Sequence, residues 1–132
     1  MIRNVSVEES IEYWLRLAAY DLDTARALFA AGRHLHTAFF CQQAIEKLFK
    51  AVIVRRTDSA PPRIHDLIRL AAAASLHPSD AHRASIERLT PLAMLARYPS
   101  TQEPEKAVDR AIAERLLSET EDLDRWLRSI AT

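Results

Sequence analysis

Residues 38–51 decide the fold class, and they read Ala38-Phe39-Phe40-Cys41-Gln42-Gln43-Ala44-Ile45-Glu46-Lys47-Leu48-Phe49-Lys50-Ala51. Apolar side chains recur here every three or four residues, which is the period of an α-helix. The apolar face is unusually broad, with a main row widened on both sides, and comprises Ala38, Phe40, Cys41, Ala44, Ile45, Leu48, Phe49 and Ala51. Such a face predicts packing against two neighbours. We therefore expect a central helix over about residues 35–55.

The same helix carries a polar strip, formed by Gln43, Glu46, Lys47 and Lys50. These positions share one face because residues three, four and seven apart lie above one another on a helix. One interpretation is the solvated side of the helix, with Glu46 and Lys50 as an exposed ion pair. The other is a polar groove in which lysines meet phosphate and glutamine meets a base or ribose. The pattern leaves both open.

One helix is predicted before this stretch and another after it. The first begins at Ser6, where Ser6-Val7-Glu8-Glu9 matches a capping box, and ends at Gly32, a favourable residue after a helix terminus. A loop is expected over residues 57–62, which contain two consecutive prolines. A third helix should follow from about His65 to Leu76, because Pro78 prevents its continuation.

The last two helices complete the pattern. The fourth should start near Ser79 or Asp80 and be kinked or broken at Pro91. After a loop over residues 97–102, the fifth should begin near Pro104, since proline suits the first helical position. Short connections favour antiparallel neighbours. The sequence therefore predicts an all-α, up-and-down bundle of four to five helices in a single domain over residues 1–132.

Composition supports this fold and excludes several functions. The chain has 132 residues, a single glycine, and equal numbers of basic and acidic side chains, 18 of each. A net charge of zero argues against a general polyanion binder and makes self-association easier. The single cysteine, Cys41, is expected to be a buried thiol in a reducing compartment. Without a signal-like N-terminus or a membrane-length apolar run, we expect a soluble cytoplasmic protein.

Neither a metal nor a cofactor is expected. His34 and His36 are two residues apart and would point in different directions on a helix. The sequence has no glycine-rich phosphate loop, GxSxG elbow, HExxH motif or CxxC pair. His77 and His82 flank Pro78, and both are expected to be exposed to solvent.

Three other side chains carry specific expectations. Asp21 lies close to the apolar stripe of the first helix, and we expect it to form a salt bridge with Lys47. Tyr98 is expected to pack on the bundle. Arg97 could either contact an anion or form a salt bridge, and His65 could cap the third helix or pack against the second.

An ordered set of motifs resembles a known family. The first helix reads Trp14…Ala18-Ala19-Tyr20-Asp21-Leu22, and the second reads Gln42-Gln43-Ala44-Ile45-Glu46-Lys47…Lys50-Ala51. Pro62-Arg63-Ile64-His65-Asp66-Leu67 and Ala96-Arg97-Tyr98-Pro99 follow in order. Together, from about residue 8 to about residue 130, these motifs resemble the HEPN (higher eukaryote and prokaryote nucleotide-binding) domain family.

The resemblance implies a helical bundle that commonly forms a homodimer and, in many prokaryotes, acts with a minimal nucleotidyltransferase. Some members are metal-independent RNases, including toxins of toxin–antitoxin pairs, and others are thought to bind nucleotides. The RNase branch has an arginine followed, after four to six residues, by a histidine. Here Arg97 stands near the arginine position, but the residues at the histidine distance are Gln102, Glu103 and Pro104. The RNase motif is therefore absent.

Two hypotheses for function are the main candidates, and a third is a purely structural dimer with no ligand. In the first, the protein is not an enzyme but a nucleotide- or RNA-binding or interaction module, forming a homodimer that works with a nucleotidyltransferase. Its binding residues would be Gln43, Glu46, Lys47, Lys50, His65 and Arg97. The alternative is a metal-independent RNase of a toxin–antitoxin pair with a non-standard site, in which His65 and Arg97 are catalytic. Imidazole and guanidinium suit that chemistry, because one transfers the 2′-hydroxyl proton and the other neutralises the scissile phosphate.

Overall fold

The structure, a computed structural model, describes residues 6–132. It contains five α-helices and one short 3₁₀ turn, and no strand occurs within the described residues. The helices are α1 (Val7–Ala30), α2 (His34–Thr57), α3 (Leu67–Ala73), α4 (Asp80–Arg97) and α5 (Arg110–Ala131), and the 3₁₀ turn spans Pro104–Lys106. The predicted all-α bundle is confirmed. No helix in this part of the chain is long and apolar enough to cross a membrane.

The central position predicted for the second helix is also confirmed. The helix α2 contacts every other helix and the 3₁₀ turn, and 15 of its 24 residues are buried. Ile45, Leu48 and Phe49 are fully enclosed. The remaining helices therefore pack around α2, which sets where every side chain on it can point.

The two ends of α1 follow the local signals in the sequence. The Ser6 hydroxyl oxygen accepts a hydrogen bond from the Glu9 N–H at 3.1 Å, as expected for a capping residue. At the other end Gly32 has a φ of +76°, a conformation that glycine adopts without steric cost. The N–H groups of Gly32 and Arg33 then bond back to the carbonyls of Phe29 and Leu28. These two backbone hydrogen bonds end the helix, and the chain then turns into α2.

The prediction for α3 was too long at both ends. The helix starts at Leu67 rather than His65, because the Asp66 side chain accepts hydrogen bonds from the N–H groups of Ile68 and Arg69. It ends at Ala73, where Ser75 takes a left-handed conformation with a φ of 56°. His65 is therefore not the cap of α3. It lies in the extended segment before the helix and contacts α2.

The predicted start of α4 near Ser79 or Asp80 is confirmed, whereas the break expected as one possibility at Pro91 and the predicted start of α5 need correction. The helix α4 runs through Pro91 without a break. Pro91 is exposed, so water can satisfy the carbonyl that lacks its usual helical donor. Pro104 begins only the 3₁₀ turn. The helix α5 starts at Arg110 because the Asp109 side chain accepts from the Ile112 N–H at 2.8 Å.

Two surface expectations were wrong. Tyr98 is 65% exposed and does not pack on the bundle. His82 is half-buried, since its ring stacks on Trp126 with the centroids 4.4 Å apart and its Nε2 lies 3.1 Å from Asp122 Oδ2. His77 is exposed, as expected. The half-buried position of His82 could not be read from its place beside Pro78, because both of its partners lie on α5.

Cys41 yields a direct test of core packing. Burial raises the pKa of its thiol to about 12, so almost none of the reactive thiolate exists near neutral pH. We expect the folded protein to react with DTNB only as fast as the bundle opens, and at once in concentrated guanidinium chloride. The Cys41→Ala variant is the blank. Rapid reaction of the folded protein, with an unchanged circular dichroism spectrum, would contradict this prediction.

Candidate functional site

The polar strip of α2 is not a solvated surface. Glu46 and Lys50 are only 4% and 8% exposed, and Gln42 beside them is also buried. The expected ion pair between Glu46 and Lys50 exists, with 3.3 Å between Oε2 and Nζ, but it lies inside the bundle. The interpretation of this strip as an exposed helix face is therefore wrong. Sequence periodicity placed these residues on one face correctly, but it did not show what covers that face.

A second ion pair ties the strip to α1. Lys47 Nζ lies 2.6 Å from Asp21 Oδ2, and both side chains are largely buried. The predicted salt bridge between Asp21 and Lys47 is thus confirmed. Nearby, Gln43 is half-buried, and its amide donates to Gln42 Oε1 at 2.7 Å. The ammonium group of Lys47 already has an anionic partner within the fold.

The Glu46 carboxylate is the centre of a hydrogen-bond network. It accepts from the Gln42 amide at 3.3 Å and from the Lys50 ammonium at 3.3 Å. The Nδ1 atom of His65 lies 3.1 and 3.2 Å from its two oxygens. Gln42 also donates to the backbone carbonyl of His65 at 3.1 Å. Two side chains of α2 therefore fix both the ring and the main chain of His65.

Trp14 of α1 contributes to the same buried cluster. The Lys50 ammonium lies 5.3 Å from the centroid of the Trp14 ring, a distance typical of a cation–π contact. Lys50 is thus held between a carboxylate and an aromatic face. These contacts orient the ammonium group into the bundle.

A cavity of about 310 Å³ opens beside this network, between α2, the segment before α3, and α4. Five of its eight lining residues are polar or charged, and the lining consists of Phe39, Gln42, His65, Asp66, Thr90, Ala93, Met94 and Arg97. This volume lies at the lower end of the range of roughly 300–1,000 Å³ typical of small-molecule sites. His65 and Arg97, which are far apart in the sequence, line the same cavity.

Arg97 forms no salt bridge with any residue in 6–132. Its guanidinium carbon instead lies 5.3 Å from the centroid of the Phe39 ring. Stacking on an aromatic face restrains the guanidinium plane and leaves its N–H groups at the edge. Of the two roles considered for Arg97, the salt bridge is not formed, and its hydrogen-bond donors remain for an anion.

The structure brings two of the six predicted binding residues to the cavity, His65 and Arg97. The other four lie behind it or on the α1 side of α2, and they are Gln43, Glu46, Lys47 and Lys50. Both lysine ammonium groups are engaged in ion pairs. Among residues 6–132, no group of three or more His, Cys, Asp or Glu side chains could hold a metal ion.

Sequence reasoning missed several lining residues, chiefly Phe39, Gln42 and Asp66. A signal for Gln42 was present, since it precedes Glu46 by four residues and therefore shares its face. Asp66 was named only as part of the motif Pro62-Arg63-Ile64-His65-Asp66-Leu67. Nothing in the sequence pointed to Phe39, because its role depends on where the end of α4 lies.

The fold and the cavity define a helical-bundle protein with a small polar-edged site between its second and fourth helices. The HEPN domain family model matches residues 11–130, and the chain belongs to this family. Two solved structures share the fold. An archaeal HEPN homologue is 21% identical with a TM-score of 0.77, over 92% of this chain and 98% of that one. A protein from Thermus thermophilus is 20% identical with a TM-score of 0.78, over 91% of this chain and 97% of that one. No curated protein matches the sequence.

The buried ion pair predicts a large stability effect at Lys50. The Lys50→Met variant keeps a long apolar side chain but leaves the Glu46 carboxylate without its ammonium partner. We expect a loss of about 3 kcal/mol in the free energy of unfolding, as for other broken buried pairs. Urea denaturation followed by circular dichroism measures it.

The control is Lys106→Met, which removes an exposed i,i+3 partner of Glu103. Such a surface pair contributes under about 1 kcal/mol. Equal losses in the two variants would show that the Glu46–Lys50 pair does not have the buried character described above.

Proposed function

We propose that this HEPN protein is a binding module for nucleotides, free or within RNA, and that the ligand occupies the cavity between α2 and α4. One observation carries the proposal: a guanidinium and an imidazole line the same small cavity. Arg97 would contact phosphate through two parallel hydrogen bonds, a geometry that guanidinium groups favour. His65 would contact the adjoining sugar or phosphate.

The remaining predicted residues support the site from behind in this proposal. Glu46 and Lys50 form the buried pair that holds His65 in place. Lys47 links α2 to α1 through its ion pair with Asp21. Gln43 donates a hydrogen bond to the neighbouring Gln42. The positive charges of the two lysines are balanced within the fold, so they would contribute position rather than direct phosphate contact.

The charge of the cavity favours a ligand with one phosphate per nucleotide. Arg97 is the only Lys or Arg among its lining residues, and Asp66 contributes a negative charge close by. A triphosphate would place several negative charges near that carboxylate. The net charge of zero on the whole chain agrees with recognition at one local site rather than along a basic surface.

We also propose the assembly that the family resemblance implies, a cytoplasmic homodimer acting with a minimal nucleotidyltransferase. Support comes from two exposed side chains near the end of α4, Met94 at 48% and Tyr98 at 65% exposure. The two residues are four apart at the end of α4, and a contiguous exposed apolar patch commonly marks a contact surface. Because Met94 also lines the cavity, a partner seated there would lie next to the ligand.

Nucleotide binding predicts a ligand-dependent rise in the melting temperature, because a ligand that binds only the folded state stabilises it. We expect adenosine monophosphate or a short oligoriboadenylate to raise the midpoint, and calorimetry to give a saturable isotherm. Arg97→Gln should weaken binding by roughly tenfold or more, the effect of losing one charge-assisted contact.

The matched control is Arg125→Gln, which alters an exposed arginine of α5 that does not line this cavity. It should bind like the unaltered protein. The proposal would be contradicted if neither the melting temperature nor the calorimetric signal responded to any mono-, di- or triphosphate nucleotide or to RNA.

A second candidate function is RNA cleavage, which the shared location of His65 and Arg97 also favours. The imidazole would take the proton of a ribose 2′-hydroxyl, whose oxygen then forms a bond to the adjacent phosphorus. The bond from phosphorus to the 5′ oxygen would break, and that oxygen would take a proton from water. Arg97 would neutralise the charge that develops on the phosphate.

End-labelled RNA incubated with purified protein and a chelator tests this second candidate. If the protein is an RNase, His65→Ala and Arg97→Ala should each lower the cleavage rate by at least about a hundredfold, while Arg125→Gln leaves it unchanged. RNA that stays intact with folded protein would exclude cleavage and leave the binding proposal in place.

A further inference from the structure

The hydrogen atom on the His65 ring can be placed from its surroundings. Gln42 and Lys50 both donate to the Glu46 carboxylate, so Glu46 acts as an acceptor throughout this cluster. An ionised carboxylate offers only acceptor sites. The Nδ1 atom of His65, 3.1 Å from Glu46 Oε1, must therefore carry the hydrogen that bridges them.

The other ring nitrogen then has a defined role. In a neutral imidazole with its hydrogen on Nδ1, Nε2 presents a lone pair and accepts hydrogen bonds. The Glu46 carboxylate also has a cationic partner in the Lys50 ammonium, 3.3 Å from Oε2. His65 lines the cavity, its side chain is 60% exposed, and Nε2 has no hydrogen-bond partner among the described residues.

We propose that Glu46 is a positioning residue that fixes this tautomer of His65, and that the Nε2 lone pair makes the site select RNA over DNA. The inference rests on the proposed nucleotide-binding function and specifies its ligand as an RNA strand. Arg97 supplies donors for the phosphate, whereas His65 supplies an acceptor. The ligand must therefore present a hydrogen-bond donor beside its phosphate.

The ribose 2′-hydroxyl is the group that meets this requirement. Within a nucleic-acid strand the 3′ and 5′ oxygens of each internal sugar are esterified, so the 2′-hydroxyl is the sugar's sole donor. DNA lacks it, and this hydroxyl is what allows proteins to distinguish the two strands. Of the Asp66 carboxylate, only Oδ1 is engaged as the cap of α3, so the effect of the His65 acceptor is isolated by altering Glu46 and leaving Asp66 in place. Loss of one neutral hydrogen bond at a partly exposed site corresponds to roughly a threefold to tenfold weaker affinity.

The tautomer is measured first, in histidine labelled with ¹⁵N and by long-range proton–nitrogen correlation spectra. His65→Ala identifies the signals of His65 by their disappearance. We expect the unaltered protein to show a protonated Nδ1 and an unprotonated Nε2 at His65. In Glu46→Gln the amide can donate or accept, so both tautomers should be populated.

Binding is measured with oligoriboadenylate and oligodeoxyadenylate of equal length. The unaltered protein should prefer the ribose strand by roughly threefold to tenfold, and Glu46→Gln should reduce the ratio toward one. Asp21→Asn is the matched control. It also converts the carboxylate of an α2 ion pair to an amide, but Asp21 contacts Lys47 rather than His65. In Asp21→Asn, the His65 tautomer and the ratio of affinities for the ribose and deoxyribose strands should match those of the unaltered protein.

The outcomes separate this inference from the function on which it rests. A hydrogen on Nε2 in the unaltered protein, or equal affinity for the two strands, would overturn the inference while nucleotide binding stands. Failure of either strand to bind would overturn both. Because both measurements on the unaltered protein are decisive alone, the test does not depend on Glu46→Gln folding.

Discussion

The arrangement of the site depends on one buried carboxylate, that of Glu46. It lies in the middle of the most enclosed helix and accepts hydrogen bonds from Gln42, Lys50 and His65. A buried charge is tolerated only when such partners surround it, and any unpaired group there would be costly. The segment between α2 and α3 is therefore constrained to bring His65 to α2. The contacts of His65 with α2 thus restrict the conformation of the loop, which contains two prolines and an exposed Asp58.

The rest of the bundle works to enclose this charge. Trp14 of α1 covers the Lys50 ammonium, and Asp21 two turns further along pairs with Lys47. The tight turn at Gly32 allows α1 to lie along α2 so that both contacts form. The apolar residues of α2 are buried in the core, and the helix also contacts α4 and α5. One helix thus combines an apolar face, which drives folding, with a buried polar strip, which determines where the neighbouring segments lie.

How far sequence reasoning succeeds depends on whether a feature is local. The broad apolar face of α2, the Ser6 cap and the Gly32 turn are each determined by residues close together in the chain, and each was predicted. The start of α5 was not, because proline at the first position is equally compatible with the 3₁₀ turn that forms at Pro104. The start of α5 is instead determined by Asp109, whose side chain caps the helix, and this cap was not predicted. For the candidate site, the pairing of Asp21 with Lys47 was predicted, whereas the cavity was not. Its walls depend on the relative placement of α2, α4 and the segment before α3, and helical periodicity holds no information on that placement.

The chemistry of the cavity supports binding better than cleavage. Transesterification of RNA needs a group that removes one proton and, for an efficient reaction, another that supplies a proton to the leaving oxygen. His65 could perform the first step, but no second imidazole lines the cavity. Asp66 Oδ1 accepts from two backbone N–H groups and acts as the cap of α3. A guanidinium group such as that of Arg97 carries only hydrogen-bond donors and is suited to neutralising charge. A site with hydrogen-bond acceptors beside one fixed cation is suited to holding a nucleotide by its sugar and phosphate. The absence of a histidine four to six residues after Arg97, the spacing of the RNase branch, agrees with that division of roles.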